Sequence, residues 1–238
     1  MRDDGERGVE PPAALPRTIG AIAWDPANAV TLAGLSCAVL GAHAVVLDEP
    51  RLGAALAGLA LLADMLDGSV ARRQTARASV MARAGGLLDA LCDVVHGGVL
   101  PGLLLVAVVG SSPVTVLVAT ALAVCAVLRL AFFALAGPRA DGSYTGVPVI
   151  FSTMAACLFV AAMDLPAVAV LFPTVLAVLA VLNVTSVRIP KLAGVALLAF
   201  NGLAAASVAA NLALWTVSGR VDARASVAEH VPSVEIEP

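Results

Sequence analysis

Four aspartates lie close together in a chain that is otherwise strongly apolar. Asp64 and Asp67 end one hydrophobic stretch, and Asp89 and Asp93 lie inside the next. A carboxylate at membrane depth costs about 2.5–3.5 kcal/mol on insertion scales, so this cluster needs a compensating partner. Residues three or four apart project from the same face of a helix, so each pair predicts two adjacent carboxylates. Two such faces turned toward each other would form a four-carboxylate pocket.

The ligand chemistry of this pocket favours hard divalent cations. Carboxylate oxygens with no His or Cys among them suit Mg²⁺, Mn²⁺ or Ca²⁺ and disfavour zinc or copper. If two such ions bind, the four carboxylates balance their charge. We therefore predict a metal site, with Mg²⁺ or Mn²⁺ as cofactor, whose ligands are Asp64, Asp67, Asp89 and Asp93.

Small residues and an arginine accompany the acids. Gly68 removes a side chain directly after Asp67, Ala71 keeps the next turn small, and Gly85 does the same before Asp89. Arg72 offers a planar guanidinium that suits phosphate oxygens. Metal ions, an arginine and a bare helix face together predict a diphosphate site.

Two alternatives remain open for the acids. They could form static ion pairs with the nearby arginines Arg72, Arg73, Arg77 and Arg83, or relay protons in a transporter. Neither alternative requires Gly68, Ala71 and Gly85 at these offsets. Transporters also often show internal repeats, and this sequence shows none.

Composition places the chain in a membrane. The 238 residues are 60% hydrophobic and only 13% charged, whereas about 25% are charged in an ordinary soluble domain. The net charge of −3 and the lack of a basic stripe argue against a nucleic-acid partner. The four cysteines all lie in apolar stretches without a CxxC pattern, so we interpret them as core residues.

The predicted fold is an all-α, polytopic membrane bundle. Seven apolar runs are long enough to span a bilayer, at about 28–47, 52–72, 84–109, 113–136, 147–163, 165–184 and 192–216. We assign residues 28–216 to a transmembrane catalytic domain. Residues 1–27 would be a polar and interfacial segment anchored by Trp24, and 217–238 a disordered polar tail. Asn28 and Thr31 are interpreted as caps of the first span.

Orientation follows from the positive-inside rule. With the N-terminus inside, one side has only three basic residues, Arg51, Arg220 and Arg224, and the other side has all the rest. This places the aspartates at the cytoplasmic ends of the second and third spans. The protein is therefore expected in the plasma membrane with its site facing the cytoplasm.

The motif from Asp64 to Asp93 resembles the signature of the CDP-alcohol phosphotransferase family, membrane enzymes that join a CDP-activated lipid to an alcohol. The signature falls on Asp64, Asp67, Gly68, Ala71, Arg72, Gly85, Asp89 and Asp93. One departure is the loop between Arg72 and Gly85, which is longer here than is usual in the family. The resemblance implies a six-helix core, to which this chain adds about one span, and a homodimer.

Flanking segments resemble the phosphatidylserine synthases of that family. They are DALCDVVHGG, LRLAFF, SYTGVPV and LNVTSVRIPK, with His96 and Gly97 replacing the usual Ser and Phe. This resemblance implies phosphatidyl transfer from CDP-diacylglycerol to a small alcohol, with serine favoured over glycerol phosphate or inositol phosphate, and release of CMP.

The resemblance also implies roles for residues. Asp93 would be the base that takes the proton of the acceptor hydroxyl, and CDP-lipid would bind at Asp64, Gly68, Ala71, Arg72 and Gly85. Arg129 is expected to meet the acceptor's carboxylate or a phosphate, or else to pair with an aspartate, since a lone arginine deep in a span is costly. His96 and Arg188 are further candidates for acceptor or phosphate binding, beside the alternatives of a satisfied interior histidine and of ordinary positive-inside placement.

Overall fold

The computed structural model describes residues 15–137, 139 and 141–229, and these form a helical bundle. A short 3-10 helix, Ile19–Trp24, precedes the first long helix. The α-helices are α1 Pro26–Val46, α2 Pro50–Arg73, α3 Ser79–Asp93, α4 Leu100–Val109, α5 Pro113–Ala136, α6 Ile150–Ala161, α7 Val168–Asn183 and α8 Gly194–Glu229. Two short strands, β1 Tyr144–Thr145 and β2 Arg188–Ile189, pair antiparallel.

The predicted membrane bundle is confirmed, and each predicted apolar run contains a helix. Among the described residues, five helical segments are long and apolar enough to span a membrane, including the continuous stretch Ser79–Val109 that joins α3 to α4. The predicted fifth and sixth spans correspond to the shorter helices α6 and α7. The apolar helices thus indicate an integral membrane protein.

Local sequence explains where the main helices begin. Asp25 caps α1 by accepting a hydrogen bond from the Asn28 amide at 3.1 Å, and Pro26 occupies the first turn. Ser112 and Thr115 form a reciprocal capping box at the start of α5. The prediction that Asn28 and Thr31 cap α1 was wrong, because Asp25 does so and both side chains turn to other elements.

Small residues let the helices approach closely. α2 packs against both α1 and α8, and a Cβ added at Gly58 would lie 2.6 Å from Val208 Cγ2 of α8. Close backbone approach is the usual basis of helix association in membranes, where lipid is as apolar as the side chains. α8 also packs against α6, so the additional span is part of the bundle.

A π-helical turn, Val94–Val99, interrupts the stretch between α3 and α4. Pro101 follows it closely and has no amide hydrogen to donate to the preceding turn, so the change in hydrogen-bond register has a local cause. The turn lies against α5 and α6, with a Cβ at Gly97 only 2.6 Å from Val149 Cγ2. A side chain at position 97 would therefore overlap Val149, so this close packing requires glycine.

The two strands close the end of the bundle that carries the aspartates. Gly146 follows β1 with φ of 75°, and a Cβ there would overlap the Asn183 carbonyl oxygen, so only glycine suits this turn.

The C-terminal helix α8 continues to Glu229, so the first part of the predicted tail is helical. Residues 1–14 and 230–238 lie outside the described residues, so disorder of residues 230–238 stays a prediction.

Candidate active site

The four aspartates do come together between α2 and α3. Carboxylate oxygens of Asp64, Asp67 and Asp89 lie within 4.8 Å of one another. Asp64 also belongs to a second group, with Asp93 and His96, whose ligand atoms lie within the same distance. The helical spacing of each pair and the packing of the two helices therefore produce a continuous cluster, with Asp64 shared by both groups.

The first helix supplies a donor to this cluster. Thr31 of α1 donates a short hydrogen bond from its hydroxyl to Asp67 Oδ2, and both residues are buried. This contact orients one carboxylate oxygen of Asp67. Thr31 therefore supports an acidic residue in the site, a role that its position near the helix start did not reveal.

The nearby arginines do not neutralise the cluster. Among the described residues, the salt bridges of Arg and Lys are those of Arg51 and Arg77, and neither involves the four aspartates. Arg77 pairs with Asp25 instead, and Arg72 donates to the hydroxyl of Ser69 at 3.1 Å. The static ion-pair interpretation of the four acids is therefore wrong for the described contacts.

His96 lies on the π-helical turn and faces Asp93. Its Nε2 is 2.9 Å from Asp93 Oδ1, although the two atoms are not aligned for a hydrogen bond. The His96 carbonyl accepts a bond from the Thr153 hydroxyl of α6 at 2.8 Å, which fixes the turn. The expected approach of His96 to the site is therefore present, and its nearest site partner is Asp93.

The two signature glycines each lie beside a guanidinium. A Cβ at Gly68 would lie 3.3 Å from Arg72 Nη1, and one at Gly85 would lie 2.7 Å from Arg77 Nη2 and 2.6 Å from Asn28 Oδ1. The face of Gly85 is thus filled by the protein's own polar side chains. Ala71 is in the last turn of α2, where its carbonyl accepts the Gln74 amide at 3.2 Å.

Arg129 is buried in α5, and Asp93 and Tyr144 lie within electrostatic range of it. Its guanidinium carbon is 6.0 Å from the centre of the Phe133 ring, and its Nε has no hydrogen-bond partner among the described residues. The alternative of a direct ion pair between Arg129 and an aspartate is not among the described contacts. The buried cation therefore keeps a donor for another group.

Tyr144 is a residue near the aspartates that the sequence pattern did not single out. It lies on β1, its ring centre is 5.6 Å from that of Phe133, and the charges acting on it include Arg129, Asp89, Arg72 and Asp64. Burial raises the pKa of its hydroxyl, so the group remains a hydrogen-bond donor at neutral pH. Tyr144 is the chain's single tyrosine, a signal that could have drawn attention to it.

Arg188 is not part of this cluster. It is exposed on β2, opposite Thr145, and no described contact joins it to the aspartates. The expectation that it binds the acceptor or a phosphate gains no support from its position.

The donor set has the chemistry of a hard-cation site. Among the described residues, the ligand atoms of the two groups are carboxylate oxygens apart from one His96 ring nitrogen, and carboxylate oxygens suit Mg²⁺ or Mn²⁺. Divalent ions at such a site, together with the nearby guanidinium of Arg72, can bind a diphosphate. They can also stabilise the negative charge that develops when the diphosphate is cleaved.

The sequence matches the CDP-alcohol phosphatidyltransferase family over residues 24–218, which includes every helix that forms the site. The chain belongs to the CDP-alcohol phosphatidyltransferase family. The name of this family describes the transfer of a phosphatidyl group from a CDP-alcohol.

Part of the chain is similar to curated proteins within this family. The chain is 41% identical over 97 residues to a CDP-diacylglycerol–serine O-phosphatidyltransferase of Mycobacterium bovis, and equally to one of Mycobacterium tuberculosis. The matched segment is 40% of this chain and 32% of each relative. The chain thus covers only about a third of the length of these relatives.

Proposed function

We propose that the protein transfers the phosphatidyl group of CDP-diacylglycerol to the hydroxyl of L-serine and releases CMP. The observation that carries this proposal is the acidic cluster itself, which gathers four carboxylates within one bundle and leaves them without an Arg or Lys partner among the described residues. A site that concentrates negative charge in this way needs cations, and a diphosphate substrate needs the same cations.

We infer that Mg²⁺ or Mn²⁺ is held by Asp64, Asp67, Asp89 and Asp93. The occurrence of Asp64 in both groups of ligand atoms supports the presence of two ions. When bound, the ions would neutralise the diphosphate and stabilise the leaving phosphate. Thr31 would keep Asp67 oriented for this role through its hydrogen bond.

Asp93 is the proposed general base. The acceptor hydroxyl forms a bond to the lipid-side phosphorus, the bond from that phosphorus to the CMP oxygen breaks, and Asp93 accepts the hydroxyl proton. His96 Nε2, 2.9 Å from Asp93 Oδ1, would hold that carboxylate in place. The proposal thus assigns His96 to the positioning of Asp93.

Arg129 supports the choice of serine. A buried guanidinium with an unpartnered Nε can receive the carboxylate of an amino acid, and such charge-assisted bonds are among the strongest in proteins. Tyr144, which lies within range of Arg129, can donate its hydroxyl to the same acceptor. The partial likeness to serine transferases points the same way.

The reaction is tested by CMP release from CDP-diacylglycerol by the purified protein. Serine, glycerol 3-phosphate and inositol phosphate are supplied in parallel, with Mg²⁺, with Mn²⁺ and with a chelator. Phosphatidylserine should form only with serine and a divalent ion. Consumption of a phosphorylated acceptor in place of serine would overturn the serine assignment and leave the family reaction standing.

We further propose that the site faces the cytoplasm of a plasma-membrane homodimer. The exposed loop residue Ala76 lies at the aspartate end, and Ser111 is exposed at the opposite end. In a background without native cysteines, Ala76→Cys should react with an impermeant thiol reagent only after the cells are opened, and Ser111→Cys in intact cells. The reverse pattern would contradict this orientation, and crosslinking in membranes tests the dimer.

A further inference from the structure

The longer loop between α2 and α3 is tied to the start of α1 by Arg77. Its Nε and Nη2 donate to the two carboxylate oxygens of Asp25, at 3.2 and 2.8 Å, and Nη2 also donates to Asn28 Oδ1 at 2.7 Å. Asn28 is fully buried and donates in turn to the Ile22 carbonyl at 3.0 Å. The guanidinium is therefore held from two sides by groups of fixed position.

This guanidinium lies on the same face of α3 as the acids. Its Nη2 would be 2.7 Å from a Cβ at Gly85, and Gly85, Asp89 and Asp93 follow one another at intervals of four. Residues at this spacing stack along one helix face. Arg77 therefore lies one turn, about 5 Å, beyond Asp89 toward the loop side of the cluster.

Part of the guanidinium remains available. Arginine carries five N–H donors, and the contacts of Arg77 involve Nε and Nη2, while Nη1 has no hydrogen bond among the described residues. Asp25 is ionised at neutral pH, since hydrogen bonds from the Asn28 amide and Arg77 outweigh the effect of burial and lower its pKa. The carboxylate of Asp25 fixes the orientation of the Arg77 guanidinium, and Nη1 remains able to donate to an additional acceptor.

If Arg77 served only to hold the loop in place, it would not need to lie beside Gly85. An arginine that only tethered the loop could meet Asp25 at the surface, but Arg77 is placed against Gly85 and close enough for its charge to act on Asp67. Arg73, by contrast, is exposed in the last turn of α2 and makes no described side-chain contact. The two arginines therefore provide a matched comparison.

We propose that Arg77 is a binding residue for the nucleotide part of the CDP-activated lipid, oriented by Asp25 and Asn28. This inference rests on the proposed function. With the diphosphate at the acidic cluster, the nucleoside extends toward the loop and reaches the free Nη1 of Arg77. A guanidinium donates and never accepts, so its partners are phosphate oxygens or the carbonyl and ring-nitrogen acceptors of cytosine.

Steady-state CMP release by the purified full-length protein tests this role. CDP-diacylglycerol is titrated at a saturating concentration of the best acceptor, for wild type, Arg77→Gln and the matched control Arg73→Gln. Arg77→Gln should raise the KM for CDP-diacylglycerol and weaken inhibition by CMP about tenfold, the size of one charge-assisted hydrogen bond, with little change in kcat. Arg73→Gln should behave as wild type, and Asp25→Asn should give a smaller rise than Arg77→Gln.

Three results would overturn the inference. Equal KM values for Arg77→Gln and Arg73→Gln would remove the nucleotide contact. Tighter CMP inhibition in Arg77→Gln would mean that the side chain blocks the site. A lower kcat and melting temperature with unchanged KM would mean that Arg77 only holds the loop. If wild type uses no acceptor, the proposed function fails, and equilibrium dialysis of CMP against wild type and Arg77→Gln still decides the role of Arg77.

Discussion

Charged residues occur at both ends of the bundle, but they are treated differently. At the end opposite the aspartates, Arg51 donates to Asp164 Oδ2 at 2.5 Å and to Ser218 Oγ at 2.7 Å. Glu49 there accepts a bond from the Trp215 indole at 2.8 Å. These contacts join the first residues of α2 to the α6–α7 connection and to α8, so the charges serve to hold helices together.

At the acidic end, the four aspartates have no Arg or Lys partner among the described residues. Arg77 is engaged by Asp25, and Arg129 lies beside Phe133 instead of forming an ion pair among the described residues. The partner of Asp93 is the imidazole of His96, and Asp67 receives the hydroxyl of Thr31. The Thr31 hydroxyl orients Asp67 without cancelling the charge of its carboxylate.

The charged residues at one end are paired with each other, whereas the four aspartates at the other end are not. This difference suggests that the first set stabilises the fold and the second set binds a ligand. A buried acid that is not paired by the protein is costly, so it persists where a ligand supplies the missing charge. The acidic end therefore has the character of a binding site, and the opposite end shows what the static alternative would have looked like. Mutations at the two ends should accordingly affect different properties.

The largest difference should come from Asp93→Asn. Loss of the proposed base should reduce kcat by about a hundredfold or more, while CDP-diacylglycerol binding is largely kept. Asp164→Asn is the matched control from the opposite end and should retain normal turnover. CMP release and a separate binding measurement check both properties. More than about a tenth of wild-type activity in Asp93→Asn would contradict the assignment of the base.

Much of the fold follows from local sequence. The apolar runs indicate the helices because span length is fixed by the bilayer, and Pro26 and Pro113 begin helices where their missing amide hydrogens cost nothing. The convergence of Asp64 with Asp67 and of Asp89 with Asp93 follows from helical spacing. These features can be predicted because each depends only on residues that are close together in the sequence.

The remaining contacts of the site join residues that are distant in sequence. Thr31 was taken for a helix cap, yet its partner is Asp67 on the next helix, 36 positions away. The contact between Arg77 and Asp25 spans 52 positions, and the pairing of Tyr144 with Ile189 joins the segments on either side of α6 and α7. The spacing of residues along one helix does not show which other helix that face will contact. These contacts could therefore be identified only from the structure.

The second prediction concerns the support of Asp67 by Thr31. Thr31→Val removes the hydroxyl that orients a buried carboxylate, and groups that orient metal ligands typically contribute 10–100-fold in affinity. The Mg²⁺ concentration for half-maximal activity should rise about tenfold. Thr120→Val is the control, since Thr120 bonds only within α5, to the Val116 carbonyl. Equal Mg²⁺ dependence in the two variants would show that the Thr31 contact is unimportant for metal binding.

The third prediction separates the acceptor from the lipid substrate. Arg129→Ala should raise the KM for serine about tenfold, because a charge-assisted partner of the carboxylate is lost, and should change the KM for CDP-diacylglycerol less. Kinetics with each substrate varied in turn provide the check. Comparable rises in both KM values would place Arg129 at the shared diphosphate, and a change in neither would leave its burial without a catalytic reason.

The smallest effect is expected at the opposite end. The Asp164 side chain is 73% exposed, and exposed ion pairs typically contribute about 1 kcal/mol or less. Asp164→Asn should therefore lower the melting temperature in detergent only slightly and leave both KM values unchanged. Thermal unfolding and CMP release on the same preparation provide the measurement. A loss of turnover without a loss of stability would mean that the paired charges at this end also act on the reaction, and the distinction between the two ends would then fail.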